Sequence, residues 1–348
     1  MTIFKTFGGL TLATALAVTT FATAFTTKAS AQEVTLRLHQ FLPLRSAIPA
    51  EAIQPWIEKI QKDSGGRIAV QHFPSMQLGG RPPALYSQAA DGVVDLIWTV
   101  LGYTPGRFPK TEAFELPFMT GDAKTASKAF HEYVEANAMD EFGDTKPIVF
   151  HVHGPGYFHS NKPIAKLSDL GGQKLRGPTR VINTMLGKLG ATPIGMPVPA
   201  VPEAVSKKVI DGAVIPFEVT LPLKMSELVG NHAGFKTAPG LYTATFVMTM
   251  NKAKYDSLPA DLKKVIDDNS GPEVAALFGA VMDRWDIKGR KTAQAAGNTI
   301  VDLDAQRAEW VEAAKAVEAE WIAEMDGKGF NGAALVKSAR ELIAKNAE

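Results

Sequence analysis

The sequence predicts an α/β protein made of two strand-and-helix units that face each other across a ligand cleft. Strand patterns and amphipathic helix patterns alternate from residue 34 onward, and a second such series begins at residue 148. The chain has 348 residues, 45% of them hydrophobic, which is enough to bury two ordinary cores. It shows no internal repeat and no flexible linker, so we expect several chain crossings to join the two units.

The first unit alternates three strands with two helices. This order is typical of a parallel sheet that is covered by helices on both faces. Paired glycines end the first helix, because glycine readily adopts the left-handed conformation that follows a helix. The predicted elements are a strand at 34–38, a helix with Ile53, Trp56, Ile57 and Ile60 on one face that ends at Gly65-Gly66, a strand at 67–72, a helix at 85–90 and a strand at 93–98.

The second unit repeats this alternation, and a long apolar segment at 242–250 is suited to cross between the units. The C-terminal region is predicted to be helical, with Leu262, Val265 and Ile266 on one face and Trp310, Val317 and Trp321 marking a long amphipathic helix. The other elements are strands at 148–152 and 173–176, a helix from Pro178 to Gly190, an extended piece at 192–196, a helix at 200–209 and a strand at 212–215.

Residues 1–31 have the features of a cleaved signal peptide. Lys5 precedes a stretch rich in Thr, Ala, Leu and Phe, and the segment ends in the small-x-small pattern Ala29-Ser30-Ala31. A retained membrane anchor is the alternative, but Gly and Thr dilute the apolar run. Cleavage removes Lys5 and Lys28 and leaves 35 basic and 36 acidic side chains. We therefore expect a periplasmic protein with no direct membrane insertion.

Composition excludes several functional classes. The 37 basic and 36 acidic side chains of the whole chain nearly cancel, whereas a nucleic-acid-binding protein needs a strongly basic face. The chain has no cysteine, which excludes disulfides, thiolate zinc sites and cysteine nucleophiles. It also lacks a nucleophile elbow, a dinucleotide-binding glycine pattern and a phosphate loop. These absences weigh against an enzyme, and we expect no cofactor.

Arg176 is the most informative single residue. It ends a predicted strand and precedes Gly177-Pro178 at the start of a helix, where a guanidinium fork suits a carboxylate. The alternative is a surface arginine in an ordinary ion pair, and Arg180 is expected to be solvated. His151 and His153 share one strand face and could hold a metal, but no third ligand follows at a recognisable spacing. The pattern therefore favours histidines that are buried or at a sheet edge, with no metal site.

At this point the chain resembles a known family, the DctP-type solute-binding proteins of tripartite ATP-independent periplasmic (TRAP) transporters. The resemblance runs through essentially all of the chain after residue 31, with several motifs in the family's order. These motifs are G-G-R-I-A-V at 65–70, M-Q-L-G-G at 76–80, A-A-D-G-V-V-D-L at 89–96, F-E-L-P-F-M at 114–119, L-S-D-L-G-G-Q-K-L-R-G-P at 167–178, L-G-A-T-P-I-G-M at 189–196, V-I-D-G at 209–212 and M-N-K-A-K-Y-D-S-L-P-A-D-L at 250–262.

The resemblance implies a two-lobed periplasmic binding protein fold with long C-terminal helices. Such a receptor closes around a small organic acid and delivers it to the membrane permease subunits. Lobe I is predicted at 32–152 plus about 240–280, and lobe II at 153–239 plus about 281–348. The strongest motif places Arg176 on the arginine with which the family grips the solute carboxylate.

Departures from the family pattern imply a simple ligand. Gly156 stands where many sialic-acid and dicarboxylate receptors have a second arginine, and Ile215 replaces an asparagine. Ala200 and Pro202 replace a glutamate–tyrosine pair. Each change removes a polar partner, and a buried charge without partners is costly. The expected solute is therefore a monocarboxylate, such as a keto, hydroxy or aromatic acid.

Matching around the motifs places further residues in the pocket, and packing within one lobe is the alternative for each of them. Aromatic residues expected near the cleft also include Phe41, Tyr103, Phe158 and Phe246, most of them as core residues. The predicted ligand-binding set is Arg176, Gln40, Trp98, Thr99, Tyr157, Val198, Phe217 and Tyr242.

Two other functions are consistent with the residues alone. A receptor for an ATP-driven importer would share the two-lobed build, and only the family motifs speak against it. An exported metal-dependent hydrolase would use the histidines, but it lacks a nucleophile motif and a three-ligand set. The family sometimes binds a cation beside its solute, and this sequence offers no ligand set for one.

Overall fold

Two β-sheets organise the protein, and each forms the centre of one lobe. The computed structural model describes residues 32–347, so the predicted signal peptide lies outside the described residues. The strands are β1 (Val34–Gln40), β2 (Ile68–Phe73), β3 (Leu96–Val100), β4 (Thr145–Val152), β5 (Tyr157–Ser160), β6 (Lys174–Gly177), β7 (Thr192–Gly195), β8 (Gly212–Ile215), β9 (Asn231–Gly234), β10 (Thr245–Asn251) and β11 (Thr299–Asp302).

Helices cover both sheets, and a π-helical turn at Pro49–Ile53 leads into the first of them. None of the described helices is both long and apolar enough to cross a membrane. The helices are α1 (Gln54–Asp63), α2 (Leu85–Ala90), α3 (Ala123–Asn137), α4 (Arg180–Lys188), α5 (Val201–Ser206), α6 (Phe217–Leu223), α7 (Met225–Leu228), α8 (Lys252–Asp256), α9 (Ala260–Asp268), α10 (Pro272–Ala295), α11 (Arg307–Gly327) and α12 (Gly332–Ala347).

The first sheet has the strand order β2-β1-β3-β10-β4. β1 is parallel to both β2 and β3, as the alternation of strands and helices predicts. β10 lies antiparallel between β3 and β4, so the sheet is mixed rather than purely parallel. This strand is the apolar crossing segment, and all seven of its residues are buried. A continuous apolar run indicates burial on both faces, but it carries no information about strand direction.

The second sheet has the order β11-β9-β5-β8-β6-β7. β6 lies between β8 and β7 and is parallel to both, whereas β5 is antiparallel to β8 and β9. The sequence patterns predict β6, β7 and β8 but none of β5, β9 and β11. The central position of β6 matters for function, since it places Arg176 between two flanking strands.

Three connections join the lobes: residues 153–156, residues 235–244 and helix α10. Two carboxyl groups of α10 accept hydrogen bonds from the N-terminal backbone amides of helices in different lobes. Asp283 accepts hydrogen bonds from the backbone amides of Ala123 and Lys124 in α3, at 2.7 and 2.9 Å. Asp286 accepts one from the amide of Glu218 in α6, at 2.7 Å. α10 therefore ties a helix of each lobe to one rigid element.

The C-terminal helices contact both lobes. Glu324 of α11 pairs with Arg180 of α4, while Asn137 of α3 donates a hydrogen bond to Ser338 of α12 at 3.0 Å. The strands follow the predicted lobe division, with β10 in the first sheet and β11 in the second. α12 lies along the first lobe although it belongs to the C-terminal tail. The lobe boundaries themselves remain a prediction.

Candidate ligand-binding site

A pocket lies between the lobes and is lined by residues from both. The free space between its side chains is about 40 Å³. Small-molecule sites usually span roughly 300–1,000 Å³, so the pocket is narrow in this structure. Its lining residues are Phe41, Leu42, Trp98, Val100, Tyr103, His153, Arg176, Pro178, Val198, Ile215, Pro216, Glu218, Val219, Tyr242, Ala244 and Phe246.

Arg176 is held in place by the two strands beside its own. Its Nε donates to the carbonyl oxygen of Met196, just past β7, at 2.8 Å. Its Nη1 donates to the carbonyl oxygen of Val214 in β8, at 3.2 Å. The third nitrogen, Nη2, is buried and has no hydrogen-bond partner in the protein. The guanidinium is therefore oriented before any ligand arrives, with one nitrogen left for it.

Two phenols lie close to this guanidinium. The hydroxyl of Tyr242 is buried and has no partner among the described residues. The hydroxyl oxygen of Tyr103 accepts a hydrogen bond from the amide of Val198 at 2.9 Å and keeps its own proton. Burial raises the pKa of both phenols, although the charge of Arg176 opposes that rise. Both side chains are therefore neutral hydrogen-bond donors near neutral pH.

This group of donors matches the needs of one carboxylate. A carboxylate has two oxygens that accept several hydrogen bonds, most strongly from a guanidinium. Leaving a buried donor without a partner costs about 1–3 kcal/mol. Of the ten buried side-chain atoms without a partner among the described residues, only Nη2 of Arg176 and the hydroxyl of Tyr242 belong to residues that line this pocket. A carboxylate in the pocket would satisfy Arg176 and Tyr242 together.

The first lobe contributes a wall of aromatic rings. Phe41 and Trp98 stack with ring centroids 4.8 Å apart and planes inclined by 6°, and Trp98 stacks on Phe246 at 5.4 Å and 8°. The indole Nε1 of Trp98 donates to Nε2 of His151 at 2.8 Å. The polar atom of the largest ring is therefore satisfied within the protein, and the wall is apolar toward the pocket.

The two histidines of β4 and the connection after it are neutral structural residues. Burial lowers the pKa of His151 to about 3 and that of His153 to about 4. Nε2 of His153 accepts a hydrogen bond from the amide of Ala244 at 3.0 Å, and its Nδ1 contacts the carbonyl oxygen of Gly154. Within residues 32–347, no group of three or more His, Asp or Glu side chains is placed to hold a metal ion.

Gly156 shows why a second arginine is absent from this pocket. A Cβ atom at residue 156 would overlap the ring of Tyr242, so only glycine fits there beside this tyrosine. The amide of Gly156 also donates to the carbonyl oxygen of Tyr242 at 3.0 Å. The space that a longer side chain would need is thus filled by a neutral phenol.

The structure brings four of the eight predicted residues together in this pocket: Arg176, Trp98, Val198 and Tyr242. Gln40 and Thr99 do not line it. The Gln40 amide instead donates to the carbonyl oxygen of Leu42 at 2.8 Å and so holds the turn that presents Phe41. Thr99 is buried next to Trp98 in β3, where successive side chains point to opposite faces.

Tyr157 and Phe217 also lie outside the pocket. They pack on each other with ring centroids 4.9 Å apart, next to Arg290 of α10 in a separate surface groove. The Tyr157 hydroxyl donates to the carbonyl oxygen of Phe235 at 2.8 Å, so this tyrosine supports the connection between the lobes.

Sequence reasoning missed Glu218 entirely, and it treated Phe41, Tyr103 and Phe246 only as aromatic residues near the cleft. The aromatic residues share a signal, since each lies in or just beyond a strand of the first sheet. Glu218 had no comparable signal, because an acidic side chain is not expected in a pocket for an anion.

Arg180 is not solvated as expected from its position on α4. Its Nε donates to Oε1 of Glu112 at 2.6 Å, and its Nη1 to Oε2 of Glu324 at 2.7 Å. Glu112 belongs to the first lobe, so this pair bridges the lobes beside the pocket. The Tyr103–Val198 hydrogen bond forms a second bridge.

A model of the family described as bacterial extracellular solute-binding protein, family 7 (DctP), matches residues 42–324. Among solved structures, the chain is 48% identical to a TRAP solute binding protein from Rhodoferax ferrireducens in complex with copurified benzoate, covering 90% of this chain and 98% of that one, with a TM-score of 0.87. It is 47% identical to a marine metagenome TRAP solute binding protein from an unidentified microbe. That protein is described as specific for aromatic acid ligands and was co-crystallised with 3-hydroxybenzoate. The match covers 91% of this chain and 100% of that one, with a TM-score of 0.89.

A third solved TRAP solute binding protein is similar at lower sequence identity. The chain is 28% identical to a TRAP periplasmic solute binding protein from Bordetella bronchiseptica with bound (R)- and (S)-mandelate. That match covers 90% of this chain and 99% of the other, with a TM-score of 0.83.

Proposed function

Because the chain belongs to family 7 of the bacterial extracellular solute-binding proteins, the DctP family, we propose that its interlobe pocket binds a small aromatic monocarboxylate. The chain is a TRAP-type solute receptor and not an enzyme, and the solved structures to which it is similar are also TRAP solute receptors. The chemistry of the pocket supports the proposed class of ligand.

One observation supports this ligand class above the others. Two buried donors, Nη2 of Arg176 and the hydroxyl of Tyr242, lack partners in the protein and lie in the same pocket as parallel aromatic rings. The donors suit a carboxylate, and the stacked face of Phe41, Trp98 and Phe246 suits a flat apolar body. The pocket has no second cationic side chain for another carboxylate.

The relatives support the same ligand class. The two similar structures near 48% identity hold benzoate and 3-hydroxybenzoate, and the more distant one holds mandelate. Each of these ligands has one carboxylate and one benzene ring. We extend this ligand class to the present chain because its pocket supplies a partner for each of those two parts.

We propose that binding works through closure of the lobes. The ligand carboxylate contacts Arg176 on the second lobe while its ring contacts the wall of the first lobe. The ligand therefore binds the closed form better than the open form, which is the condition for shifting the equilibrium. The Tyr103–Val198 and Arg180–Glu112 bridges form only when the lobes are together, so they stabilise the same state.

The receptor would act outside the cytoplasmic membrane. TRAP receptors work with membrane permease subunits, and we propose that the closed, loaded form docks on such a permease. Removal of residues 1–31 after export remains part of the proposal, since these residues lie outside the described range.

Isothermal titration calorimetry with a ligand panel tests the proposed function. Benzoate, 3-hydroxybenzoate and mandelate are compared with succinate and sialic acid on purified protein from which copurified ligand has been removed. We expect at least one aromatic monocarboxylate to bind at least about tenfold more tightly than either comparison acid, which is a difference of about 1.4 kcal/mol. Tighter binding of succinate or sialic acid would overturn the proposal.

A further inference from the structure

Glu218 is an acid that lines the ligand pocket and has no side-chain partner among the described residues. It lies in the first turn of α6 and is 4% exposed as a residue. Within residues 32–347, neither of its carboxyl oxygens takes part in a hydrogen bond or an ion pair, whereas its backbone amide donates to Asp286. Neither oxygen is sealed inside the protein, so the carboxyl group is open to a polar group of a ligand in the pocket.

The surroundings of Glu218 favour the neutral form of its carboxyl group. The neighbouring lining residues Ile215, Pro216 and Val219 are apolar, and the nearby acid Asp286, whose own pKa burial raises to about 8, accepts a hydrogen bond from the backbone amide of Glu218. Burial raises the pKa of Glu218 well above its ordinary value, and the charge of Asp286 raises it further. A neutral carboxylic acid offers one O–H donor and also accepts hydrogen bonds.

Glu218 and Arg176 form two separate polar regions of one pocket. They make no ion pair among the described residues, and they line the pocket from different elements, Arg176 from β6 and Glu218 from α6. If the ligand carboxylate binds Arg176, the carboxyl group of Glu218 faces a different part of the same ligand. That part must be polar to compensate for the buried acid.

We propose that Glu218 is a specificity-determining residue that hydrogen-bonds a hydroxyl group on the ligand, so that the receptor prefers hydroxylated aromatic acids to unsubstituted ones. The inference rests on the proposed function of the site. A hydroxyl group both donates and accepts, which complements a neutral carboxylic acid. A second ligand carboxylate would place a charge beside two acids without a cation, and an ammonium group would require an ionised Glu218.

Calorimetry with matched ligands tests this role. Benzoate, 3-hydroxybenzoate, 4-hydroxybenzoate and 3-(aminomethyl)benzoate share one ring and one carboxylate and differ in the second group. The wild-type protein should bind one of the hydroxybenzoates at least about tenfold more tightly than benzoate, because a site built for a hydroxyl group rejects the analogue that lacks it. The ammonium-bearing ligand should bind more weakly than that hydroxybenzoate.

Two substitutions separate the hydrogen bond from the shape of the pocket. Glu218→Leu should reduce the preference for the hydroxybenzoate over benzoate to within about twofold, since it removes the polar partner of the ligand hydroxyl group. Glu218→Gln keeps a neutral donor and acceptor and should retain most of the preference. If Glu218→Leu does not fold, Glu218→Met makes the same comparison with an unbranched side chain.

The outcomes distinguish this inference from the proposed function. If benzoate binds tightly but the hydroxybenzoates bind no better, or if Glu218→Leu weakens all ligands equally, the role of Glu218 is overturned while the function stands. Tighter binding of the ammonium-bearing ligand would also overturn it, because it would show an ionised acid. If none of the aromatic acids binds, the proposed function itself is wrong, and the specificity role falls with it.

Discussion

The two walls of the pocket are built in opposite ways. The second lobe presents a charge: Arg176 is fixed by carbonyl oxygens of the neighbouring β8 strand and of Met196 beyond β7. The first lobe presents apolar surface: the rings of Phe41, Trp98 and Phe246 stack with nearly parallel planes. One wall is oriented by backbone hydrogen bonds and the other by side-chain packing.

This difference separates two tasks that a receptor must perform. In the proposed function, the guanidinium contacts the carboxylate that all the candidate ligands share, so we expect it to govern affinity for the whole class. The rings would contact the ligand body, so we expect them to govern which acid is preferred. Substitutions in the two walls should therefore have different signatures across a ligand panel, and the following predictions test that expectation.

The largest expected effect comes from removing the guanidinium group of Arg176. Arg176→Ala should weaken binding of every acid by at least about 100-fold, because a buried carboxylate then lacks its cationic partner. Calorimetry with benzoate and with cyclohexanecarboxylate measures this loss. Arg340→Ala removes an exposed arginine of α12 that pairs with Glu318, and it should leave both affinities unchanged. Unchanged affinity in Arg176→Ala would show that the charge is recognised elsewhere.

A smaller and more selective effect should follow from a change in the aromatic wall. Phe246→Leu should weaken benzoate by about tenfold, because a ring–ring contact contributes about 0.5–1.5 kcal/mol beyond the buried area. Cyclohexanecarboxylate has the same size without an aromatic ring and should lose less than about threefold. The ratio of the two affinities, measured by calorimetry, is the readout.

Phe114→Leu serves as the matched control for the aromatic wall. Phe114 is buried against Phe130 and Tyr133 in the first lobe and does not line the pocket. This variant should lose stability in chemical denaturation without changing the ratio of benzoate to cyclohexanecarboxylate affinity. If both variants lower the affinity for both ligands equally, the assignment of selectivity to the stacked rings is wrong.

Tyr242→Phe should move stability and affinity in opposite directions. The variant removes a buried hydroxyl group that has no partner in the protein, so the unliganded form should gain about 1 kcal/mol in the free energy of unfolding. Benzoate affinity should fall by about fivefold to tenfold, since one donor to the carboxylate is lost. Urea denaturation and calorimetry measure the two effects.

The control for Tyr242 is a tyrosine whose hydroxyl group is satisfied. Tyr133 donates to the carbonyl oxygen of Lys110 at 2.9 Å and lies away from the pocket. Tyr133→Phe should lose stability and keep its affinity for benzoate. A loss of stability in the unliganded Tyr242→Phe protein would contradict the view that this hydroxyl group is reserved for a ligand.

The smallest expected effect concerns an acid of the first lobe near Tyr242. Glu115 is fully buried, accepts hydrogen bonds from the amide and hydroxyl of Thr245, and leaves Oε2 without a partner. Burial raises its pKa to about 7, and its charge acts on the pKa of Tyr242. Below that pH it is neutral, and above it the negative charge repels the bound carboxylate.

Benzoate affinity should therefore fall by about threefold to tenfold as the pH rises from 6 to 8, because the added charge opposes an anion. Asp286, whose pKa burial raises to about 8, also acts on Tyr242 and should add to the fall at the upper end of this range. His151 and His153, with pKa values of about 3 and 4, stay neutral across this range and contribute no opposing change. Calorimetry of Glu115→Gln across the same range should give a flatter profile. An equal slope in both proteins would exclude Glu115 as its source.

Parts of the fold and of the site follow from local sequence. The period-two and period-3.6 patterns predict β1, β2, β8, α1 and α4 within a few residues, because each element has a buried face of its own. Arg176 is identifiable because a charged residue at a strand end, before Gly177-Pro178, is suited to a ligand. Its final position in the pocket agrees with that interpretation, and its role as a ligand contact remains a prediction.

Other predictions depend on distant contacts. Matching by position placed Gln40, Thr99, Tyr157 and Phe217 near the ligand, yet none of them lines the pocket. Gln40, Tyr157 and Phe217 contact partners within the protein instead, and the Thr99 hydroxyl is buried without a partner among the described residues. Thr99 follows Trp98 directly, so one of the two must face away from the pocket, and the sequence does not say which. The antiparallel insertion of β10 also depends on where the chain returns from the second lobe.

Local patterns in the amino-acid sequence were sufficient for the α/β class, for the alternating strands and helices, for an arginine at the end of a strand and for the absence of cysteine chemistry. They could not predict that Phe41, Trp98 and Phe246 form one wall, that Tyr242 occupies the space beside Gly156, or that Glu218 lines the pocket. A local pattern encodes which side chains are buried, whereas a binding pocket depends on which buried side chains contact one another. Here those contacts join residues in or next to β1, β3, β6, α6 and β10, which lie far apart along the chain.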